Sequence, residues 1–423
     1  MRIYVKLLLA ASTVLVGYAR VQAPDRESRW REDFQFLAKG LSAKGTTIDL
    51  QRGISSRGQK DFEKLYPKET FDAEIVSLSS EVATLPDSEI VLRLMRLMAS
   101  SHVAHNIVRI PLSNGFFNRL PIEFSWFSDG LAVTAASADQ LGTLGTRVVK
   151  VGSMTPEELL VAVTPYISHE NDSWLRSEAS GFIRWGAVLR HFHLLDSDRR
   201  LALTLERPGG EMFTVSVPVV DPRVKTQTLT EGLHLATLLA LSRPTQNYWH
   251  QFLPESQTCY IQFNACANDP QVPFKEFAKQ VLADIDARAP KKIVIDLRAN
   301  SGGDSRIISP LEKGLAARLK TIEHIYVLIG PATFSSAVDN AVELRRSLKA
   351  ILVGTDAGQG AGGYGEVKLL TLPNSKLVVQ YTTKFFGAGK EFDTLSPDLK
   401  APRKLEDALA GRDTALEAAL RAK

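Results

Sequence analysis

The chain has 423 residues and a mass of 46.5 kDa, long for one core and suited to two or three domains. Its 44% hydrophobic and 23% charged residues are ordinary globular values, which exclude a disordered or collagen-like chain. The formal net charge is +4, and three of the basic residues (Arg2, Lys6, Arg20) lie in the acid-free first 23 positions, so the nearly neutral remainder lacks the basic face that nucleic-acid binding needs.

Residues 1–23 join that basic start to an apolar run, Leu7 to Val16, and to small residues at Gly17 and Ala19. This is the pattern of a secretory signal peptide, with 24–423 as the mature, exported chain, periplasmic or extracellular. The run is too short to span a membrane comfortably, and no other stretch of about 18 apolar residues follows. No membrane span is therefore expected after signal removal.

Residues 24–115 read as a helical region. Phe34, Phe36, Leu37 and Leu41 recur at helix-like spacing, as do Ile90, Leu92, Leu94, Leu97 and Met98 after an Asp87/Ser88 start signal. The pattern changes over 116–225. Short β-like runs (PIEFSWF, GLAVTAA, TRVVKVG, LALTLERP, MFTVSVPVV) alternate with turn residues around one helix-like stretch, TPEELLVAV. Strands plus one short helix suggest a small β-rich, PDZ-like module.

From 226 to 423 strand and helix alternate. CYIQF, KKIVIDLR, HIYVLIG and AILVG read as buried strands, separated by helical stretches at 273–289, 305–320 and 335–349. Such alternation predicts an α/β core built from βα units. VKLLTLP and KLVVQYTTKFF then predict a hairpin through Asn374-Ser375. The two cysteines, Cys259 and Cys266, are spaced too widely for a redox CxxC pair and are too few for a zinc site. They suit one local disulfide or two buried thiols equally.

Chemistry concentrates at three places. Ser335 in GPATFSSAVDNAV follows a buried strand and opens a helix, where the positive helix end and nearby N–H groups favour an oxyanion; a plain N-cap serine would look the same. In DLRANSGGDS (296–305), Gly302-Gly303 lets backbone approach a ligand closely. His102 and His105 follow the N-terminal helices, and either could serve a serine as general base. With His191 and His193 they are also conceivable metal ligands, but no HExxH pattern exists. Gly358 to Gly363 satisfies GxGxxG, yet a strand follows it and not a helix, so it has no helix N-terminus for a pyrophosphate. No metal or organic cofactor is expected.

Taken together, VIDLRANSGG, ATFSSAVDNA, ILVG, the glycine loop, YGEVKLLTLPNSKLVV and TLSPDLKA resemble, in order and spacing, the carboxyl-terminal processing (tail-specific) serine protease family and its tricorn-core relatives. The resemblance covers about residues 255–420. It implies a crotonase-like core preceded by the helical region and the PDZ-like module, and hydrolysis of peptide bonds in a peptide or unfolded-protein substrate. It places the nucleophile on Ser335, beside Ser336, and an oxyanion hole on the N–H groups of Gly302, Gly303 and Ser336. Two departures stand out. The lysine of the family's Ser-Lys dyad would fall on Gly360, and Lys384 and Lys390 lie elsewhere. The histidine segment of the tricorn-core relatives is SSHVAHN here, which fits His105 as base, or His102 in a second alignment. Glu391 and Asp393 are candidates to orient the histidine. The alternative to an active peptidase is an impaired relative that binds peptides or partners.

Overall fold

The computed structural model describes residues 25–42, 68–110, 118–235, 237–386 and 394–422. The expected signal peptide, Lys390, Glu391 and Asp393 lie outside these residues. Among the described residues no helix is long and apolar enough to cross a membrane.

The chain begins with helices α1 (Arg26–Ser42), α2 (Lys68–Glu81) and α3 (Asp87–Ala99), followed by a short strand, β1 (Ile107–Arg109). Phe34 and Leu37 of α1 are buried as the spacing predicts, whereas Phe36 is exposed. Asp87 does not cap α3 from outside. It is the first helical residue, and its carboxylate accepts from Arg26 Nε (2.7 Å) and Trp30 Nε1 (2.9 Å), tying α1 to α3.

A five-stranded antiparallel sheet follows: β2 (Ile122–Phe127), β3 (Gly130–Ala136), β4 (Arg147–Val151), β5 (Arg200–Glu206) and β6 (Met212–Pro218), in that spatial order, with β7 (Gln227–Thr228) paired to β3. Three helices interrupt it between β4 and β5, not the single one expected: α4 (Pro156–Val163), α5 (Asp172–Phe182) and α6 (Gly186–His191). A capping box of Thr155 and Glu158 starts α4, and Asn171 caps α5. The inward residues Phe124, Val133, Val148, Leu203 and Leu205 pack with Leu159, Val163, Leu175 and Phe182 of these helices. That packing stabilises helices too short to persist alone.

The third part holds a six-stranded sheet. Its order is β15-β12-β11-β10-β9-β8, with β8 (Tyr248–Leu253), β9 (Thr258–Phe263), β10 (Lys292–Asp296), β11 (His324–Ile329), β12 (Ile351–Gly354) and β15 (Leu399–Lys400). All neighbours are parallel except β8 and β9. Helices α7 (Phe274–Arg288), α8 (Ser309–Ala316) and α9 (Ser336–Leu348) connect the strands. Both faces are covered, as a parallel sheet requires. Ile261, Ile295, Val327 and Leu352 meet Phe277, Leu311 and Leu344 on one side. Tyr260, Val294, Leu328 and Val353 meet Leu416 and Ala419 of the terminal helix α11 (Thr414–Arg421) on the other, after the short α10 (Leu405–Leu409).

The expected hairpin is present as β13 (Gly363–Thr371) and β14 (Val378–Phe386), paired from Gly363↔Phe386 to Thr371↔Val378. It does not join the parallel sheet. It forms a separate three-stranded sheet with β1, and Leu372, Leu377 and Val379 bury against Leu78, Ile90 and Leu94 of the N-terminal helices. This contact carries the end of α3 to the parallel core. Cys259 and Cys266 are both free and buried.

Candidate active site

Ser335 stands at the junction of β11 and α9 with φ 54° and ψ −128°, a conformation that costs a non-glycine residue energy. Surrounding contacts hold it there. Thr333 Oγ1 donates to Leu297 O (2.9 Å), Phe334 N–H to Asn300 O (3.1 Å), and Asn300 Nδ2 to Phe263 O (2.9 Å). Ser335 N–H itself donates to Gln359 Oε1 at 3.1 Å. A side chain could not replace the neighbouring glycines. A Cβ on Gly302 (φ +108°) would lie 2.8 Å from Ser335 Cβ, and one on Gly303 (φ +133°) 2.2 Å from Cys266 O.

The three expected oxyanion amides differ. Gly302 N–H donates to Asn300 Oδ1 (2.9 Å). Gly303 forms a β-bridge with Cys266 in which the flanking groups, Gly302 O and Asp304 N, make the bonds. Its own N–H and C=O point to the opposite side. There its carbonyl accepts from Ser336 Oγ (2.7 Å). Ser336 N–H belongs to the first turn of α9, whose N–H groups have no intrahelical acceptor.

His105 reaches this region from the other end of the fold. It lies between α3 and β1, and its ring packs on Phe334 with centroids 4.5 Å apart; Phe334 in turn stacks on Trp174 of α5 at 4.1 Å. One small cavity of about 30 Å³ is lined by His105, Ser335, Asp339, Gln359, Gly360 and Phe386, among others. The glycine-rich loop set aside as a nucleotide motif thus borders this cavity. Burial pushes the His105 imidazole down to about 4, so the ring is neutral at physiological pH and burial opposes its protonation. Its Nδ1 is buried and has no hydrogen-bond partner among the described residues.

The segment around His105 is fastened by distant partners. Gln380 Nε2 donates to His105 O (2.8 Å), and Thr382 N–H to Asn106 Oδ1 (2.9 Å). Ala104 N–H donates to Glu170 Oε1 (3.2 Å). His102, by contrast, is exposed and does not line the cavity. Lys384 is exposed beside the Phe386 ring. His191 is spent elsewhere, on Glu89 (2.8 Å) and Tyr166 (2.7 Å). Among the described residues no three His, Cys, Asp or Glu side chains are placed to hold a metal. Sequence reasoning passed over Glu170, Gln359 and Asp339, whose proximity to the cavity depends on long-range folding.

No family model matches the chain, and no curated protein sequence matches it. Solved structures do. The chain resembles mature CPAF complexed with lactacystin at a TM-score of 0.62 and 15% identity, over 91% of this chain and 96% of that one. It resembles mature CPAF at 0.60 and 16% identity, over 91% and 94%. The photosystem II D1 C-terminal processing protease aligns over 92% and 96% at 13% identity, with a TM-score of 0.38. The fold is that of the CPAF structures.

Proposed function

We propose that the chain is an exported serine peptidase that cleaves peptide bonds through an acyl-enzyme on Ser335, with His105 as general base. In this reading the parallel sheet is a crotonase-like catalytic core and the five-stranded sheet a PDZ-like module; the divisions fall at 24–115, 116–225 and 226–423. The observation that carries it is the convergence of Ser335 and His105, distant in sequence, on one cavity in a chain with the CPAF fold. His105 takes the Ser335 proton as Oγ attacks the scissile carbonyl. The N–H groups of Gly303 and Ser336, beside the positive end of α9, stabilise the oxyanion. His105 then protonates the leaving amine, and water releases the acyl group. Glu391 and Asp393 are the candidates to orient Nδ1.

The unpartnered Nδ1 of His105 favours a second reading, an impaired relative that binds peptides without turnover. One experiment separates the two. The mature chain, 24–423, is incubated with a diverse peptide pool beside Ser335→Ala, and products are read by mass spectrometry. Products from the parent alone support the peptidase. Equal products from both variants remove Ser335 from the chemistry, and a folded parent without products favours binding.

A further inference from the structure

The proposed reaction leaves the Glu170 carboxyl, sealed beside the site, without a task. Glu170 lies just before the cap of α5, and its Oε2 is sealed from solvent without a complete hydrogen bond. Burial raises its carboxyl to about 7, opposed by the Gln359 side chain and the Ala104 N–H. A carboxyl held there at such a cost calls for a role.

Glu170 stands between the two halves of the site. Oε1 accepts from Ala104 N–H, the peptide immediately before His105 (3.2 Å). On the other side is Gln359, whose Oε1 accepts from Ser335 N–H (3.1 Å). A primary amide that gives its oxygen to Ser335 turns its NH2 away from it. Gln359 Nε2 and Glu170 Oε2 crowd the same space, 2.3 Å and 3.3 Å from where a Cβ on Gly363 would stand. The segment is fixed on the core by Asn171 Nδ2 to Ala357 O (3.0 Å), Ser173 Oγ to Asp356 O (2.7 Å) and Trp174 against Phe334.

We propose that Glu170 is a positioning residue, which holds the peptide before His105 and the Gln359 side chain behind Ser335 at once and so sets base against nucleophile. The inference rests on the Ser335–His105 reading. Glu170 is not the acid of a triad, because it binds the backbone of Ala104 while the ring Nδ1 of His105 stays unpartnered. The order of donors and acceptors makes the idea specific. An amide at position 170 can still accept from Ala104, but its NH2 then faces the NH2 of Gln359. Exchanging the two side chains, Glu170→Gln with Gln359→Glu, restores a donor opposite an acceptor at every step from Ala104 to Ser335.

The test is the rate at which a fluorophosphonate forms an adduct at Ser335 of the full chain, read by peptide mass spectrometry beside the thermal midpoint. Glu170→Gln is expected to slow the adduct by about tenfold or more, within the roughly 10²-fold that a misplacement near 1 Å can cost. The exchanged double variant is expected to recover most of that loss, a coupling that independent sites do not show. Parental labelling by Glu170→Gln overturns the inference, as does a double variant that regains its midpoint and not its labelling rate. A parent that takes no label at Ser335 overturns the peptidase reading, and this inference with it.

Discussion

The two halves of the site are built differently. The Ser335 half is built within one sheet: β10, β11 and the turns that follow them fix Ser335 through bonds between adjacent strand ends, in a sheet buried on both faces. The His105 half is assembled from a distance. Asn106 and His105 are held by Gln380 and Thr382 of the hairpin, and Ala104 by Glu170 of the middle module. The difference teaches where each half is vulnerable. Steric change strikes the first, and loss of a few buried polar contacts strikes the second.

Gly303→Ala should have the largest effect. A Cβ would meet the Cys266 carbonyl at 2.2 Å in a backbone conformation of φ +133°, so a loss of about 3 kcal/mol or more is expected in denaturant unfolding. A parental midpoint would break the claim that this half is sterically fixed.

Next comes the pH dependence of stability, which isolates the buried groups at the base. His105 is depressed from 6.5 to about 4 by burial, so its native state resists protonation. Stability is lost as pH falls from about 6.5 to about 4, and His105→Gln should gain on the parent there. Glu170 is raised from 4.5 to about 7 by burial. Its contribution is fully present below 4.5 and lost as pH rises through 7, so Glu170→Gln should gain on the parent with rising pH. Each change is worth up to about 3 kcal/mol, and flat difference curves from pH 4 to 8 would contradict both.

A smaller effect sharpens the contrast from the other side. Asn106 is buried and accepts from Thr382 N–H (2.9 Å) and Thr382 Oγ1 (3.1 Å). Asn106→Ala leaves these donors unpaired and should cost about 2 kcal/mol. It should also slow any reaction that depends on His105. Loss of stability with an unaltered rate would separate the hairpin from the base.

The same division governs how much the sequence reveals. Strand and helix periods around Ser335 are local, and β9 to β12 with their helices, the Gly-Gly loop and the hairpin are all legible. The base half is not. β1 has three residues and exists through its pairing with β14. Helices α5 and α6 are short, and residues such as Leu175 and Phe182 become a stripe only once β2 and β3 lie beneath them. Glu170 is one acid in a polar loop, and nothing local marks it as buried. The sequence favours His105 over His102, because the preceding helix fits the first alignment better; in the fold His105 is buried at the cavity and His102 is exposed. The resemblance implies an oxyanion role for Gly302, and no local signal in the sequence announces that its N–H meets the Asn300 side chain.

The central claim is that His105 activates Ser335. The most direct measurement compares the rate of fluorophosphonate adduct formation at Ser335 in the parent, His105→Ala and His102→Ala. Loss of a general base predicts a fall of about 10²-fold or more for His105→Ala, with the exposed His102→Ala at the parental rate. Parental labelling in His105→Ala, or the same loss in His102→Ala alone, would contradict the account.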